Sequence, residues 1–319
     1  MPPDPRILPS VEVDHATVEL LFEPITQGSA LGAITPVDGG LVNTLFRVTT
    51  VDQSTYALRI SPCDRDGALD LAGLEREAGL LDSVAPFIPV PRPVVWDASG
   101  TRSGLRFVIY PWIDGITLNE CRREHGAASL ASLAEPIGRL VATMRSIPDI
   151  DSRGTFRRLS IVEAVRDAED RLTSSHARHR LGATAADALR ATLDDKKSAL
   201  EALDRERCLV HGDFGGRNIV VRATRAGTWE IAGVLDWEMA AIGSPLWDIG
   251  SLFRYATRYS TEFRAGFGRG YRAAGGSLPD EWWTLARLLD VTRVVAILSE
   301  TRDLSTVFDD CRSIVASVI

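Results

Sequence analysis

The chain has 319 residues, 45% of them hydrophobic and 25% charged, which is the composition of an ordinary globular protein. Its formal net charge of −7 argues against a general nucleic-acid-binding protein, which would present a basic face. The only lysines among its 36 basic side chains are Lys196 and Lys197, in a charged segment without glycine, so the sequence excludes a Walker A phosphate loop and a Schiff-base cofactor site.

The beginning of the chain is proline-rich, and residues 1–12 are predicted to form a loose leader. Residues 1–6 lack the apolar core of a signal peptide, and no apolar run approaches about 18 residues, so we expect neither secretion nor membrane insertion. The cysteines form no C-x-x-C pair, which favours reduced thiols in a cytoplasmic protein. They are Cys63, Cys121, Cys208 and Cys311.

The first third of the chain is predicted to be rich in β-structure. Asp14 is positioned to cap a short helix that contains Val18 and Phe22. Alternating apolar residues between polar or glycine turns then predict strands, and leucines at helical spacing predict one helix. The predicted strands are 33–37, 45–51, 56–60, 94–96 and 107–110, and the helix is about 69–84.

The rest of the chain is predicted to be mostly helical. Helices are expected over 129–147, 161–181, 185–203 and from 245 almost to the end, with a β-rich island over 208–237. The predicted fold is therefore α+β and bilobal. It has a small β-rich N-terminal lobe at 1–112 and a larger helical lobe at 113–319, and such junctions commonly hold ligands. The first lobe carries 14 acidic and 8 basic side chains, the second 29 and 28.

The strongest motif lies between two short apolar runs at residues 209–221. His211, Asp213 and Asn218 have the H-x-D-x-x-x-x-N spacing of a kinase catalytic loop, and Asp236 ends another apolar run 18 residues after Asn218. Asp213 is the candidate base for an attacking hydroxyl, and Asn218 and Asp236 are candidate Mg²⁺ ligands. The alternative is a pair of loop carboxylates in turns beside a capping histidine.

The scarcity of lysine decides which residue of the first lobe can bind nucleotide phosphates. Arg59 lies on the predicted strand 56–60, where its guanidinium provides a bidentate, permanently charged group. The alternative is an exposed strand arginine. A carboxylate on the next helix would orient it, either Glu75 or Glu77, of which we favour Glu77.

A turn before the second strand is a further candidate for phosphate binding. Gly39 and Gly40 begin a segment that ends at Thr44, and its backbone amides are placed to cover phosphates. Two adjacent glycines between strands are more often only a hairpin turn.

These residues resemble the aminoglycoside phosphotransferase and choline-kinase-like family, which has a protein-kinase-like fold. The resemblance rests on His211-Gly212-Asp213 with Asn218, on Leu-Asp-Trp-Glu at 235–238, and on Gly-Ser-Pro-Leu-Trp-Asp-Ile-Gly at 243–250. It extends over about 39–253. Members phosphorylate a hydroxyl of a small molecule with a nucleoside triphosphate and Mg²⁺.

The resemblance also assigns further roles. It implies that residues 107–113, including Tyr110 and Trp112, meet the nucleobase through backbone groups, and that Asp248 braces the catalytic loop from a buried position. Protein kinases have a lysine where this chain has Gly215, and their activation-segment signatures are missing. A protein substrate is therefore disfavoured.

The sequence leaves the acceptor and the nucleotide open. The near-neutral second lobe argues weakly against a polycationic aminoglycoside, although Glu163, Asp167 and Asp170 offer a local cationic subsite. The other candidate acceptors are a macrolide, a peptide antibiotic, a sugar and an amino alcohol. The co-substrate is ATP or GTP, and the role is in antibiotic resistance or in metabolism. A nucleotide-binding module without activity and a metal-dependent phosphohydrolase are the rival functions. We expect a monomer or homodimer.

Three other patterns are given structural interpretations. Gly-Phe-Gly-Arg-Gly at 266–270 has no preceding strand and is predicted to be a helix junction rather than a dinucleotide loop. His176 and His179 are expected on the surface, and Trp282 and Trp283 in a helical core.

Overall fold

The computed structural model describes residues 10–37, 43–61, 71–148, 154, 156–301 and 305–319. The chain divides into two compact units, Met1–Asp114 and Gly115–Ile319, which we call the first and the second unit. Gly39, Gly40 and Cys63 lie outside the described residues.

The first unit is built on a five-stranded antiparallel sheet in the order β1-β2-β3-β5-β4, with two helices. Each predicted strand, and the longer helix, is confirmed to within two residues at either end. The elements are α1 His15–Thr26, β1 Leu31–Val37, β2 Thr44–Thr50, β3 Thr55–Ser61, α2 Leu71–Val84, β4 Val95–Asp97 and β5 Arg106–Pro111.

The core of this unit lies between α1 and one face of the sheet. Asp14 caps α1, as predicted, by accepting a hydrogen bond of 2.8 Å from the backbone N–H of Thr17. Because strand side chains alternate between faces, Leu58 and Ile60 point into this core and Arg59, between them, points to the other face. The buried core residues are Val18, Leu21, Phe22, Val48, Leu58, Ile60, Phe107 and Ile109.

The second unit is mainly helical and has two small antiparallel sheets, β6-β8-β9 and β10-β7. Its strands are β6 Ile116–Thr117, β7 Cys208–Val210, β8 Ile219–Ala223, β9 Trp229–Val234 and β10 Ala241–Gly243. Its helices are α3 Leu118–His125, α4 Ala134–Arg145, α5 Ile161–Ser174, α6 His176–Leu181, α7 Ala183–Ala202, α8 Leu246–Leu252, α9 Thr261–Ala273, α10 Trp282–Leu298 and α11 Ser305–Ala316.

Three predicted helical segments of this unit are interrupted, and one helix was not predicted. The segment from 245 almost to the end is divided into α8, α9, α10 and α11. The segment 129–147 begins as a 3₁₀ turn, Ala127–Leu133, before α4. The segment 161–181 is broken at Ser175, whose extended backbone ends α5 and whose side chain caps α6. The polar helix α3 has little apolar periodicity; instead a capping box between Thr117 and Glu120 starts it.

The predicted helix junction at 266–270 is wrong, because these residues lie inside α9. The glycines serve helix packing instead. A Cβ added to Gly270 would lie 2.1 Å from the carbonyl oxygen of Glu135 on α4, and one added to Gly138 of α4 would lie 2.1 Å from that of Phe267. Helices α4 and α9 therefore approach through backbone surfaces that no side chain separates.

The lysines and histidines singled out in the sequence lie on charged helix surfaces. On α7, Lys197 pairs with Glu169 at 2.9 Å and Lys196 with Glu281 at 3.2 Å. His176 and His179 are exposed, as predicted.

The aromatic and sulfur-containing residues are largely internal. Trp282 and Trp283 are half-buried and pack against Phe253, with ring centroids 5.8 and 4.9 Å apart. The described cysteines, Cys121, Cys208 and Cys311, are buried free thiols. Within the described part of the chain, no helix is both long enough and apolar enough to cross a bilayer.

Candidate active site

The kinase-like motif forms a loop between β7 and β8 in the second unit. Strand β7 ends at Val210 and β8 begins at Ile219, so residues 211–218 connect two buried strands that belong to different sheets. Short hydrogen bonds inside the loop run from the N–H of Gly215 to the carbonyl of Asp213, 2.8 Å, and from the N–H of Asn218 to that of Gly215, 2.9 Å. The loop is thus a tight, self-bonded turn.

His211 holds this loop to the neighbouring hairpin. Its ring is fully buried, its Nε2 donates to the carbonyl oxygen of Leu235 at 2.8 Å, and its Nδ1 accepts from the N–H of Asp213 at 3.2 Å. One ring nitrogen donates and the other accepts, which is the pattern of a neutral imidazole. The ring also packs beside Phe214 and Trp237. His211 therefore positions the backbone that carries Asp213.

Asp248 supports the same loop from α8. Its two carboxylate oxygens accept from the backbone N–H groups of His211 and Gly212, at 2.7 and 2.9 Å, and the residue is buried. The predicted bracing of the loop is confirmed. Burial raises the pKa of Asp248, against the opposing effect of these donors. On the other side, Nη1 of Arg293 donates to the carbonyl oxygen of Gly212 at 2.6 Å.

Gly212 occupies a position that excludes a side chain. Its φ is +85°, in the left-handed region, and an added Cβ would lie 2.1 Å from the carbonyl oxygen of Met239. The close approach of these two backbone segments depends on glycine at this position.

We expect Gly212→Ala to lower the free energy of unfolding by about 3 kcal/mol, since left-handed strain and overpacking each cost about 1–3 kcal/mol. Gly215→Ala is the matched control, because the nearest atom to its added Cβ is 4.0 Å away. Its stability should change by less than about 1 kcal/mol. Denaturant titration of both variants measures the difference; equal midpoints would contradict the argument.

Asp213 lies at the centre of a small polar network. Its Oδ2 accepts from Nη2 of Arg217 at 2.6 Å and from Nδ2 of Asn218 at 3.2 Å, and its side chain is 22% exposed. Burial by itself raises the pKa of Asp213, but the charge and hydrogen bond of Arg217 outweigh it, and Arg254 adds to their effect. The pKa of Asp213 is therefore lowered, and its carboxylate is ionised near neutral pH.

Asn218 and Asp236 come together at one end of the β8–β9 hairpin. Ile219 pairs with Val234, and the N–H of Leu235 donates to the carbonyl of Asn218 at 2.8 Å, so the next residue, Asp236, lies beside the loop. Asp236 has a left-handed backbone, φ 66° and ψ 64°, which is uncommon for a residue with a side chain and often found at functional sites.

Arg59 forms a buried ion pair in the first unit. It lies on β3, and its guanidinium meets both carboxylate oxygens of Glu77 on α2, one of them at 3.2 Å from Nη1. The two side chains are 12% and 3% exposed. The pairing is with Glu77, the residue favoured from the sequence, while Glu75 is exposed. The guanidinium also lies 5.7 Å from the centre of the Tyr110 ring.

The remaining predicted residues of the first unit lie on the same sheet. Thr44 begins β2, is buried, and its hydroxyl accepts from the N–H of Val11 at 2.8 Å. Tyr110 is buried on β5 opposite Ala57 of β3. Trp112 follows β5, donates its N–H to the carbonyl of Thr55 at 2.9 Å, and lies 4.9 Å from the guanidinium of Arg47. Of the predicted residues of this unit, Gly39 and Gly40 alone are outside the described part.

The sequence did not point to several arginines around the loop. Arg217, Arg254 and Arg293 all contact it or act on Asp213 electrostatically. Arg254 makes a bidentate pair with Asp290 at 2.7 Å and 2.7 Å. The spacing of four residues between Asp213 and Arg217 could have predicted their ion pair. Arg254 and Arg293 are too distant from Asp213 in sequence for such a spacing to reveal them.

Comparison with solved structures confirms the predicted α+β, protein-kinase-like fold. The GDP complex of a mutant aminoglycoside 2′-phosphotransferase-IIIa superposes with a TM-score of 0.72 at 16% identity, covering 96% of this chain and 97% of the other. A macrolide 2′-phosphotransferase from Brachybacterium faecium gives 0.63 at 15%, covering 93% and 97%. The choline kinase from Streptococcus pneumoniae gives 0.62 at 13%, covering 95% and 99%.

Sequence comparison gives one short match and one long one. Acyl-CoA dehydrogenase family member 11 of Mus musculus is 46% identical over 57 residues, which are 17% of this chain and only 7% of the mouse protein. The model of the APH family, described as the phosphotransferase enzyme family, matches residues 33–285. That range contains both the Arg59–Glu77 pair and the loop with Asp213, so the chain belongs to the phosphotransferase enzyme family.

Proposed function

We propose that the protein transfers the γ-phosphate of ATP or GTP to a hydroxyl group of a small acceptor molecule. The observation that carries the proposal is the placement of an ionised carboxylate, Asp213, on a braced loop whose other end meets Asp236, in a member of a phosphotransferase family. The candidate acceptors remain an aminoglycoside, a macrolide, a peptide antibiotic, a sugar or an amino alcohol.

Asp213 is the proposed base. Arg217 and Asn218 both donate to its Oδ2, which leaves Oδ1 to accept the proton of the acceptor hydroxyl. Little covalent chemistry is asked of the protein in phosphoryl transfer, so catalysis rests on positioning and on charge stabilisation. The bonds from His211 and Asp248 supply the positioning, because they fix the backbone N–H groups of His211, Gly212 and Asp213 itself.

Asn218 and Asp236 are the residues that would hold Mg²⁺. Nδ2 of Asn218 donates to both the carbonyl and the carboxylate of Asp213, which orients its amide so that the oxygen is left for a cation. Two oxygen ligands from the protein suit Mg²⁺, which keeps water and phosphate oxygens as its other ligands. In the described residues no cluster of three His, Cys, Asp or Glu side chains offers a full metal site. When bound, the ion neutralises charge on the nucleotide phosphates.

The first unit is proposed to bind the nucleotide. Arg59 would contact the phosphates, with Glu77 orienting its guanidinium, and the turn that contains Gly39 and Gly40 and ends at Thr44 would cover them. Strand β4 pairs with β5 only as far as Ile109. The backbone around Tyr110 and Trp112 lies beyond the last residue paired with β4, which supports a contact between this backbone and the nucleobase.

Removing the Arg59 guanidinium should weaken nucleotide binding. We expect Arg59→Lys, which keeps the charge but loses the bidentate geometry, to lower nucleotide affinity about tenfold. Arg59→Ala should also lose about 3–5 kcal/mol of stability, since it removes one partner of a buried ion pair. Nucleotide titration and thermal unfolding measure the two effects separately.

Arg92→Ala is the matched control for these variants. Arg92 makes an exposed ion pair with Asp82 in the same unit, and such pairs contribute about 0–1 kcal/mol. Unchanged nucleotide affinity in a folded Arg59→Lys or Arg59→Ala protein would remove Arg59 from the phosphate site.

A direct assay tests the whole proposal. The protein is incubated with Mg²⁺ and ATP or GTP, with and without a panel of hydroxylated small molecules, and nucleotide consumption and phosphate release are measured. Consumption that depends on the acceptor supports the kinase. Phosphate release without an acceptor would support a phosphohydrolase, and nucleotide binding without turnover would support a non-catalytic module.

A further inference from the structure

A cleft next to Asp213 lies entirely within the second unit. It has a volume of about 70 Å³ and is lined by the loop after Asp213, by Asn119 of α3, by the end of α8, and by residues 254–259. At Gly216 the loop approaches two other lining residues closely. A Cβ added to Gly216 would lie 2.6 Å from Oδ1 of Asn119 and 3.4 Å from the hydroxyl of Tyr259. The space beside the proposed base is therefore bounded by polar groups.

Three arginines and one carboxylate line this cleft. The arginines are Arg217, Arg254 and Arg258, and the carboxylate is Asp213 itself. Arg217 is paired with Asp213, and Arg254 with Asp290, which is 1% exposed and lies outside the lining. The pairs together account for two of the three positive charges.

Arg258 supplies the third. Its guanidinium lies 3.7 Å from the centre of the Tyr255 ring, and among the described residues it makes no ion pair. Two further carboxylates interact with lining residues: Asp310 is exposed and accepts a hydrogen bond of 2.5 Å from the hydroxyl of Tyr255, and Asp236 acts electrostatically on Arg217. Arg258 is thus a cation at the cleft that is held by stacking and lacks a counter-ion in the described protein.

Other groups near the cleft do not reverse its charge. Burial raises the pKa of Tyr259 to about 12 and also raises the pKa of Tyr255, so both phenols stay neutral; Tyr255 donates its hydrogen bond to Asp310. Arg122 on α3 acts electrostatically on Tyr259 and buries its Nε without a hydrogen-bond partner in the described protein. Among the side chains that line the cleft, arginines therefore outnumber carboxylates by three to one.

The acidic residues considered for a cationic subsite lie elsewhere. Glu163, Asp167 and Asp170 are exposed on α5, and Asp167 is paired with Arg171 at 2.6 Å. None of them lines the cleft beside Asp213. An amine brought to this cleft would meet the positive charges of the arginines, and like charges placed together disfavour binding.

We propose that the acceptor carries an anionic group, a carboxylate or a phosphate, which Arg258 binds in this cleft while the acceptor hydroxyl reaches Asp213. The inference rests on the proposed function in its use of Asp213 as the base. Arg254 adds to the subsite, because its pair with Asp290 uses Nε and Nη2 and leaves Nη1 for a further acceptor. A polycationic aminoglycoside is therefore the wrong charge class for this chain.

Equilibrium binding to the full chain, without nucleotide, tests the subsite independently of turnover. One six-carbon polyol scaffold supplies the probes: gluconate, glucitol 6-phosphate, neutral glucitol and cationic glucamine, each titrated by calorimetry. At least one of the two anions should bind about tenfold more tightly than glucitol, and glucamine most weakly. Comparison of gluconate with glucitol 6-phosphate distinguishes a carboxylate from a phosphate acceptor.

Variants assign the preference to Arg258. Arg258→Gln should abolish the advantage of the anions, Arg258→Lys should keep part of it, and Arg225→Gln, an exposed arginine outside the cleft, should keep all of it. Equal affinities across the four probes, preference for glucamine, no measurable binding of either anion, or a full preference retained in Arg258→Gln would each overturn the subsite.

Addition of Mg²⁺ and ATP or GTP to the same series distinguishes this inference from the proposed function. If the anions bind through Arg258 but neither they nor any molecule of the wider acceptor panel is phosphorylated, the proposed kinase activity is contradicted and the proposed anion site is retained. If glucitol and glucamine are phosphorylated as readily as the anions, the proposed kinase activity is retained and the proposed anion site is overturned.

Discussion

Asp213→Asn is expected to lower kcat for phosphoryl transfer by about 10²- to 10⁴-fold, the usual contribution of a general base. Asparagine keeps the shape and an oxygen that accepts from Arg217 and Asn218, but it cannot take the proton of a hydroxyl. Nucleotide affinity and thermal stability should stay close to those of the unmodified protein. Steady-state kinetics with the best acceptor measure the loss of kcat, and nucleotide titration measures the nucleotide affinity.

The control for Asp213→Asn is Glu230→Gln. Glu230 is an exposed carboxylate on β9 that pairs with Arg222, so its loss removes a charge from the adjacent β8–β9 hairpin without touching the loop that carries Asp213. Full turnover in Asp213→Asn would remove Asp213 from catalysis. A loss of nucleotide binding together with turnover would instead show that Asp213 acts through the nucleotide site.

Asp236→Asn is expected to weaken nucleotide binding in the presence of Mg²⁺ by about 100-fold or more, because a carboxylate ligand of the ion supplies several kcal/mol. Affinity measured in EDTA should be unchanged. Asparagine tolerates the left-handed backbone of Asp236 as well as aspartate does, so the backbone conformation can be kept while the charge is lost. Nucleotide titrations with and without Mg²⁺ give both values.

The same Glu230→Gln control applies to Asp236→Asn, since Glu230 lies on the strand that leads to Asp236. Equal Mg²⁺ dependence in Asp236→Asn and in the unmodified protein would contradict the ligand role. A parallel loss of affinity in EDTA would indicate damage to the fold instead.

Local patterns made the sheet and the motif predictable from the sequence. Alternation around Arg59 fixed which side chains enter the core, and the spacing from His211 to Asn218 placed three polar residues on one loop between strands. Asp248 was reached only through family resemblance, because nothing in its own helix marks a carboxylate that bonds a loop 36 or more residues earlier.

The predictions failed where tertiary packing overrides local pattern. The glycines at 266–270 look like a chain break, yet they continue a helix because α4 approaches them too closely for side chains. The pair between Arg254 and Asp290 joins the loop after α8 to α10, and a chain with 34 arginines gives no means of matching these two residues from the sequence. The charge of the cleft beside Asp213 therefore required coordinates.

The placement of both lysines on α7 has a practical use. Apart from the α-amino group, Lys196 and Lys197 carry the only primary amines of the chain, and neither lines the cleft beside Asp213. An amine-reactive fluorophore will therefore label only this helix and the α-amino group, and will leave every arginine of the candidate site unmodified. The ion pairs with Glu281 and Glu169 will slow the reaction, so labelling at raised ionic strength should attach a reporter for the binding experiments.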